Sequence, residues 1–299
     1  MANTVVRRLY VLDGGSLNIE QSMLIAGQHF GAKVDVPVPM YLIETDDGYV
    51  LVDTGNDPRV IDDPIGTWGE ALVAMVPPRM AEENHPYAQL AVLGLAPSDV
   101  TLVIYTHLHH DHAGGARLFA HAPQVVQRSE YAYALHPDRF SSGIYLRSDF
   151  DHPEIDWWLI DGDAVVRPGI HLFRTPGHTP GHQSIVLGNV PECGTVIIAG
   201  DAIYTRENVE LDVPSGVTTS AQDALMSMRS LVALAEATDA TLLVNHEMAF
   251  WALLPKAPQH LERLTDDVRC FWRDSVRPAD GRAMREAEAT TALAMRGEV

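Results

Sequence analysis

The chain has 299 residues, enough for one large domain or two modest ones, and 46% of them are hydrophobic, ordinary for a globular protein with a buried core. Asp plus Glu number 40 against 21 for Lys plus Arg, a formal charge of −19, and so acidic a surface repels phosphate backbones and anionic lipid. No apolar run of about 18 residues is present, Met1 to Tyr10 lack a secretion-type apolar core, and the two cysteines, Cys193 and Cys270, build no disulfide framework; a cytoplasmic protein without nucleic-acid or membrane partners is expected.

In chain order, the first informative segment runs from Asn56 to Pro86. It is rich in Pro and Gly and carries Ile65, Trp68, Leu72, Met75, Val76 and Met80. Two readings stay open: an adaptable apolar lid over a site, or a core stripe, because Leu72, Met75 and Val76 stand at helical spacing. Thr101 to Tyr105 is β-rich and apolar and reads as a buried strand. It leads directly into Thr106-His-Leu-His-His-Asp-His112, read as a loop. Ala113-Gly114-Gly115 then opens a short helix candidate ending at Leu118-Phe119.

A second helix candidate covers Ser129 to His136. Further apolar strand candidates follow, each ending in ligand-type residues on a turn. Ile170 to Phe173 precedes Thr175-Pro-Gly-His178-Thr-Pro-Gly-His182. Thr195 to Ile198 precedes Ala199-Gly200-Asp201-Ala202, and Thr241 to Val244 precedes Asn245-His246-Glu247. Between the last two, Ala221 to Ala237 predicts a helix with Leu225, Met228, Leu231, Val232 and Leu234 as one apolar stripe. The chain divides near Glu130 into halves that each carry strand-end ligands. Leu261, Leu264, Val268 and Phe271 predict one more packed helix, and beyond Gly281 a weak helix and disorder are both open. The expected organisation is a single domain over 1–260 and a helical extension over 261–299.

A lone histidine at a strand end is usually structural, as is a lone Gly-His or Gly-Asp turn. The pattern as a whole says more. His107 and His109, two apart, can point to one side, and Asp111 and His112 can face them after a turn. Imidazole and carboxylate suit Zn, Fe, Co or Mn. These donors would crowd one ion but can divide between two, and ion pairs about 3.5–4 Å apart are a known hydrolytic arrangement. His110 stands off that face and is read as a non-ligand, packed or behind a ligand. Carboxyl ends of strands are where open α/β sheets place their sites.

The series His107-x-His109-x-Asp111-His112, then His178, Asp201 and His246, resembles the metallo-β-lactamase superfamily, and Val52-Asp53-Thr54-Gly55 extends the resemblance upstream. It implies an α/β (α+β) fold, the four-layer αββα sandwich, with a dinuclear site between two sheets. It implies that His107, His109 and His178 hold one ion and that Asp111, His112 and His246 hold the other. Asp201 would bridge them together with a water or hydroxide. Asp53 would orient a ligand histidine, and His182 would stand outside the ligand set.

Leu9-Tyr-Val-Leu-Asp-Gly-Gly-Ser16, Val126-Gln-Arg-Ser-Glu-Tyr131 and Asp201-Ala-Ile-Tyr204 are similar to the N-acyl-homoserine lactonase branch. That branch implies a hydrolase opening the lactone ring of N-acyl-homoserine lactones, with quorum quenching as its role. Asp111 and Tyr204 would be its catalytic residues: Asp111 would deliver a proton to the leaving alkoxide, and the Tyr204 hydroxyl would donate to the developing oxyanion. The implied cofactors are two divalent ions, zinc foremost, with Fe, Co or Mn open. The implied partners are a small lactone and a second copy in a homodimer. A pyridoxolactone-type or broad γ-lactone hydrolase and a glyoxalase-II-like thioesterase are the alternatives within the fold. A non-catalytic metal-binding module and a diiron redox protein are those outside hydrolysis.

Overall fold

Two sheets carry the fold in the computed structural model, which describes residues 6–275. The 7-stranded sheet holds β1 (Val6–Glu20), β2 (Lys33–Thr45), β3 (Gly48–Val52), β4 (Pro78–Arg79), β5 (Val100–Ile104), β6 (Gln124–Gln127) and β7 (Trp157–Ile160), in the order β4-β1-β2-β3-β5-β6-β7. The 5-stranded sheet holds β8 (Ala164–Arg167), β9 (Ile170–Arg174), β10 (Gln183–Val190), β11 (Gly194–Ile198) and β12 (Thr241–Leu243), in the order β12-β11-β10-β9-β8. β3, β5, β6 and β7 run parallel, as do β11 and β12.

The period of two along each strand sends alternate residues to different layers. Leu9, Val11, Tyr41, Ile43, Val50, Val52, Leu102 and Ile104 share one buried cluster with Leu172, Ile185, Leu187, Val196 and Ile198 of the second sheet. Their chain neighbours Tyr10, Leu12, Met40, Leu42, Leu51 and Val103 join a different cluster with Leu90, Ala134 and Phe150. Those three sit on the helices Pro86–Val92, Arg128–Leu135 and Arg147–Phe150. The helix Ala221–Thr238 covers the second sheet through Met228, Leu231, Val232 and Leu234. This is the αββα sandwich. A strand buried on both faces must be apolar throughout, which is why Thr101–Tyr105 is so conspicuous in the sequence.

Several expectations need correction. The division lies between β7 and β8, where the chain changes sheets, and not near Glu130. The segment from Asn56 to Pro86 is both lid and core: Trp68, Leu72 and Val76 are buried in a third cluster with Leu17, Ile19 and Val36, while Ile65 and Met75 are exposed. The single helix expected over 261–271 is absent. The Leu261 N–H instead donates to Leu9 O at 2.7 Å, and only the short turns Asp266–Arg269 and Trp272–Ser275 are helical. Leu261, Cys270 and Trp272 are nonetheless buried in the inter-sheet cluster. The tail beyond Gly281 lies outside the described residues. Among the described residues no helix is long and apolar enough to cross a membrane.

Trp272 is only 1% exposed, so the segment after residue 260 contributes to the same core. Trp272→Ala should therefore cost about 3–5 kcal/mol in urea unfolding. A loss under about 1 kcal/mol, the scale of an exposed site, would mean that this segment is a dispensable appendage.

Candidate metal centre

Each candidate ligand follows the carboxyl end of a strand. His107 and His109 follow β5, His178 follows β9, Asp201 follows β11 and His246 follows β12, while Asp53, expected to orient a ligand, follows β3. Asp111 and His112 sit on a helical turn, His110–Ala113, where a loop was expected. Gly114 follows that turn, and no other residue fits there, because a Cβ would come within 2.1 Å of Asp57 N. Gly200 has a φ of +56° and packs against His182 and Thr106, so neither conformation nor space admits a side chain just before Asp201.

The donors converge in two groups, His107 with His109, His178 and Asp201, and Asp111 with His112 and His246. In the first, His107 Nε2 lies 2.9 Å from His109 Nδ1, and His178 Nε2 lies 3.1 Å and 3.0 Å from the same two atoms. Asp201 turns Oδ2 toward this group, 3.3 Å from His178 Nε2 and 3.7 Å from His107 Nε2. It turns Oδ1 toward the other group, 3.2 Å from His246 Nε2 and 3.3 Å from His112 Nε2. Asp111 Oδ2 stands 3.8 Å from both of those nitrogens.

The far side of the rings shows which nitrogens carry protons. His178 Nδ1 donates to Val217 O at 2.6 Å, and His246 Nδ1 donates to Pro37 O at 2.9 Å. His112 Nδ1 donates to Asp53 Oδ2 at 2.8 Å, and the Thr106 hydroxyl donates to the same oxygen at 2.8 Å. That hydroxyl lies 3.0 Å from His107 Nδ1 and can accept its proton. In neutral rings the Nε2 atoms of these histidines are therefore lone pairs aimed inward. His112 Nε2 is buried without any hydrogen-bond partner. Lone pairs facing one another in a dry site fit a pair of divalent cations.

Electrostatics divides the set: against burial, the carboxylates of Asp201 and Asp111 hold His112 well above the ordinary imidazole pKa and His246 above it, whereas His107 and His109 are lowered. Burial, then the neighbouring His112 and His109, holds His107 well below the ordinary imidazole pKa; burial, then His178, does the same for His109. Burial opposes ionisation of Asp201, but His246, His112, His178 and His107 outweigh it and hold the carboxyl well below its usual range. His182 lies outside both groups. Its Nε2 accepts from the Asp201 N–H at 2.9 Å, and burial with His178 nearby pushes its pKa down to about 3. It fixes the backbone that carries the bridging carboxylate.

Above the two groups lies a cavity lined by Leu17, Val36, Val76, Ile144, Asp111 and Tyr204, among others. A neighbouring cavity shares Met23, His109, Ile144 and Val217 with it and extends past Met75 and Phe140. Tyr204 packs edge-on against His246 with ring centroids 4.8 Å apart.

The family model for the metallo-β-lactamase superfamily matches residues 34–246, a span that includes every candidate ligand. The chain belongs to the metallo-β-lactamase superfamily. Within it, the chain is 36% identical over 261 residues to the N-acyl homoserine lactonase AttM of Azorhizobium caulinodans, covering 85% of this chain and 98% of that protein. It is 36% identical over 209 residues to the N-acyl homoserine lactonase AiiA of Bacillus thuringiensis subsp. kurstaki, covering 70% of this chain and 81% of that protein. Among solved structures, an N-acyl homoserine lactone hydrolase with the product N-hexanoyl-L-homoserine bound at its catalytic metal centre matches with a TM-score of 0.78. Its sequence identity is 32%, and the match covers 86% of this chain and 100% of that one.

This superfamily member also relies on residues the sequence reading missed. Glu130 is buried and accepts from Leu108 N at 3.0 Å, the Tyr145 hydroxyl at 3.0 Å, the Thr179 hydroxyl at 2.6 Å and Gly181 N at 3.2 Å. It ties the loop of His107 and His109 to the loop of His178. Asn245 donates to Asp201 Oδ1 at 2.7 Å. Glu130 stood within the lactonase-like run over 126–131 with nothing to single it out, and only adjacency to His246 hinted at Asn245.

Asp53 carries a left-handed φ of +58° and holds His112 by a charge-assisted bond. Asp53→Asn should weaken metal binding about 10–100-fold in a chelator competition. An unchanged affinity would show that the His112 ring is fixed by other contacts.

Proposed function

We propose that the chain is a dinuclear metal-dependent hydrolase that opens the lactone ring of N-acyl-homoserine lactones, with zinc as its native ion. One observation carries the chemistry: the two oxygens of Asp201 face separate histidine groups at the floor of an apolar-walled cavity that Tyr204 also lines. The lactonase relatives support the substrate class.

When bound, the two ions supply an attacking base from water near neutral pH and a Lewis acid for the carbonyl oxygen. His107, His109 and His178 would hold one, Asp111, His112 and His246 the other, with Asp201 spanning both. Tyr204 remains a phenol, because burial and the carboxylates of Asp201 and Asp111 push its pKa well above the ordinary value. It can therefore donate a hydrogen bond to the oxyanion that forms as the carbonyl carbon becomes tetrahedral. Burial opposes ionisation of Asp111, but His112, His110 and His246 hold its pKa below the ordinary value. As a carboxylate it can take the proton released on attack and return it to the alkoxide as the ring C–O bond breaks. The acyl chain would extend into the second cavity, whose methionines adapt to different lengths. Two buried free thiols suit a cytoplasmic setting, and exposed Ile65 and Met75 offer apolar surface to a second copy in a homodimer.

A pH-drop assay on short and long acyl-homoserine lactones, an aliphatic γ-lactone, a pyridoxolactone and a thioester tests the reading. The acyl-homoserine lactones should open fastest, and chelator treatment should abolish turnover until divalent ions return. A wide preference for the thioester would reassign the protein as a thioesterase. Tyr204→Phe should lower kcat about 100-fold while elemental analysis still finds both ions. Unchanged turnover would remove Tyr204 from the mechanism.

A further inference from the structure

The cavity above the metal groups has one polar side chain that the reaction leaves unused. His109, Asp111, Asp201 and His246 belong to the metal groups, and Tyr204 serves the oxyanion; His110 also lines the cavity and, beyond helping to lower the Asp111 pKa, has no such task. It is 4% exposed, and its Nδ1 is buried without a hydrogen-bond partner. Its ring packs on Trp68 with centroids 4.5 Å apart and planes at 58°. Trp68 is itself buried in the cluster formed by Leu17, Ile19, Val36 and Val76, so the imidazole is held rigidly against the cavity wall.

An unpartnered buried polar group is unfavourable, because it gives up its hydrogen bond to water without a replacement. A phenyl ring at residue 110 would make the same packing contact with Trp68 at no such cost. Because the ring lines the cavity, a ligand seated there can supply the partner that the protein does not. The lactone reading of the site supplies a matching group. An acyl-homoserine lactone carries a secondary amide beside the reacting ring, and that amide must leave water when the acyl chain enters an apolar cavity. A neutral imidazole has one donor and one acceptor nitrogen, and a secondary amide has one acceptor and one donor.

We propose that His110, braced by Trp68, is the side chain that recognises the substrate amide and so separates acyl-homoserine lactones from lactones that lack one. This rests on the lactonase reading. A site built to hydrogen-bond a substrate group discriminates strongly against analogues without it, because its own buried polar atoms are then left unpaired.

The test compares kcat/KM for N-hexanoyl-homoserine lactone with that for an α-alkyl-γ-butyrolactone of equal chain length, in wild type, His110→Phe and His110→Gln, with metal content measured for each. Wild type should favour the amide-bearing lactone, His110→Phe should reduce that preference by at least about 10-fold, and His110→Gln should retain part of it. Should His110→Phe fail to fold, His110→Ala is read on the same ratio. A preference that survives both apolar replacements, or no preference in wild type, overturns the assignment of His110 and leaves the lactonase reading standing. A wild-type protein that opens neither lactone overturns the lactonase reading, and the role of His110 with it.

Discussion

Asp201 is a carboxylate almost entirely removed from water, with imidazole nitrogens of His107, His112, His178 and His246 between 3.2 and 3.7 Å from its oxygens. An isolated buried charge is too costly to persist, so a group in this position needs compensating charge on both of its oxygens. That constraint accounts for the rest of the centre. The rings must present lone pairs inward, so each needs a proton acceptor behind it. Asp53, Thr106, Pro37 and Val217 supply those acceptors from four different segments, Pro37 from strand β2 and the others from loops. His182 then holds the main chain of Asp201, and Asn245 its side chain.

Glu130 performs the equivalent task one layer farther out. Burial raises its pKa, and the donors from Thr179, Leu108, Tyr145 and Gly181 work against that rise. Leu108 belongs to one histidine-bearing loop and Thr179 and Gly181 to the other, so the two loops are tied together by a carboxylate behind the ligand rings. Tyr145 adds a second link, since its hydroxyl donates to Glu130 while its ring packs edge-on against His109 at 4.5 Å.

What the sequence made legible follows from how local each cause is. The spacing of His107, His109, Asp111 and His112 is local, and so is the apolar run of β5 that delivers it. The stripe along Ala221–Thr238 is likewise a matter of neighbours on one helix, and its expected span is off by a single residue at the C-terminal end. Glu130 was not legible because its partners lie at 108, 145, 179 and 181, brought together only by the folded chain. The helix expected over 261–271 failed for a similar reason: the Leu261 N–H is taken by Leu9 O, and pairing with a distant strand prevailed over helical periodicity. The change of sheets after β7 was invisible because strand partnership, and not composition, decides it. The Asn56–Pro86 segment left two readings open because one stretch supplies both a buried stripe and a cavity wall.

The ligands come from both sheets: His107 and His109 from the edge beyond β5, His178 and Asp201 from beyond β9 and β11. A bound ion is therefore a rivet through two leaves that otherwise meet by apolar contact and by a few buried hydrogen bonds, such as those of Gln183 with Gln127 and Tyr105. Its binding free energy becomes cohesion between the leaves, worth about 4 kcal/mol when free metal stands a thousandfold above its dissociation constant. Stripped of metal, the sandwich would come apart first along this rim, where lone pairs and a carboxylate face one another. The opposite rim, closed by Val6, Ile170, Leu187 and Val190, has no such reason to open.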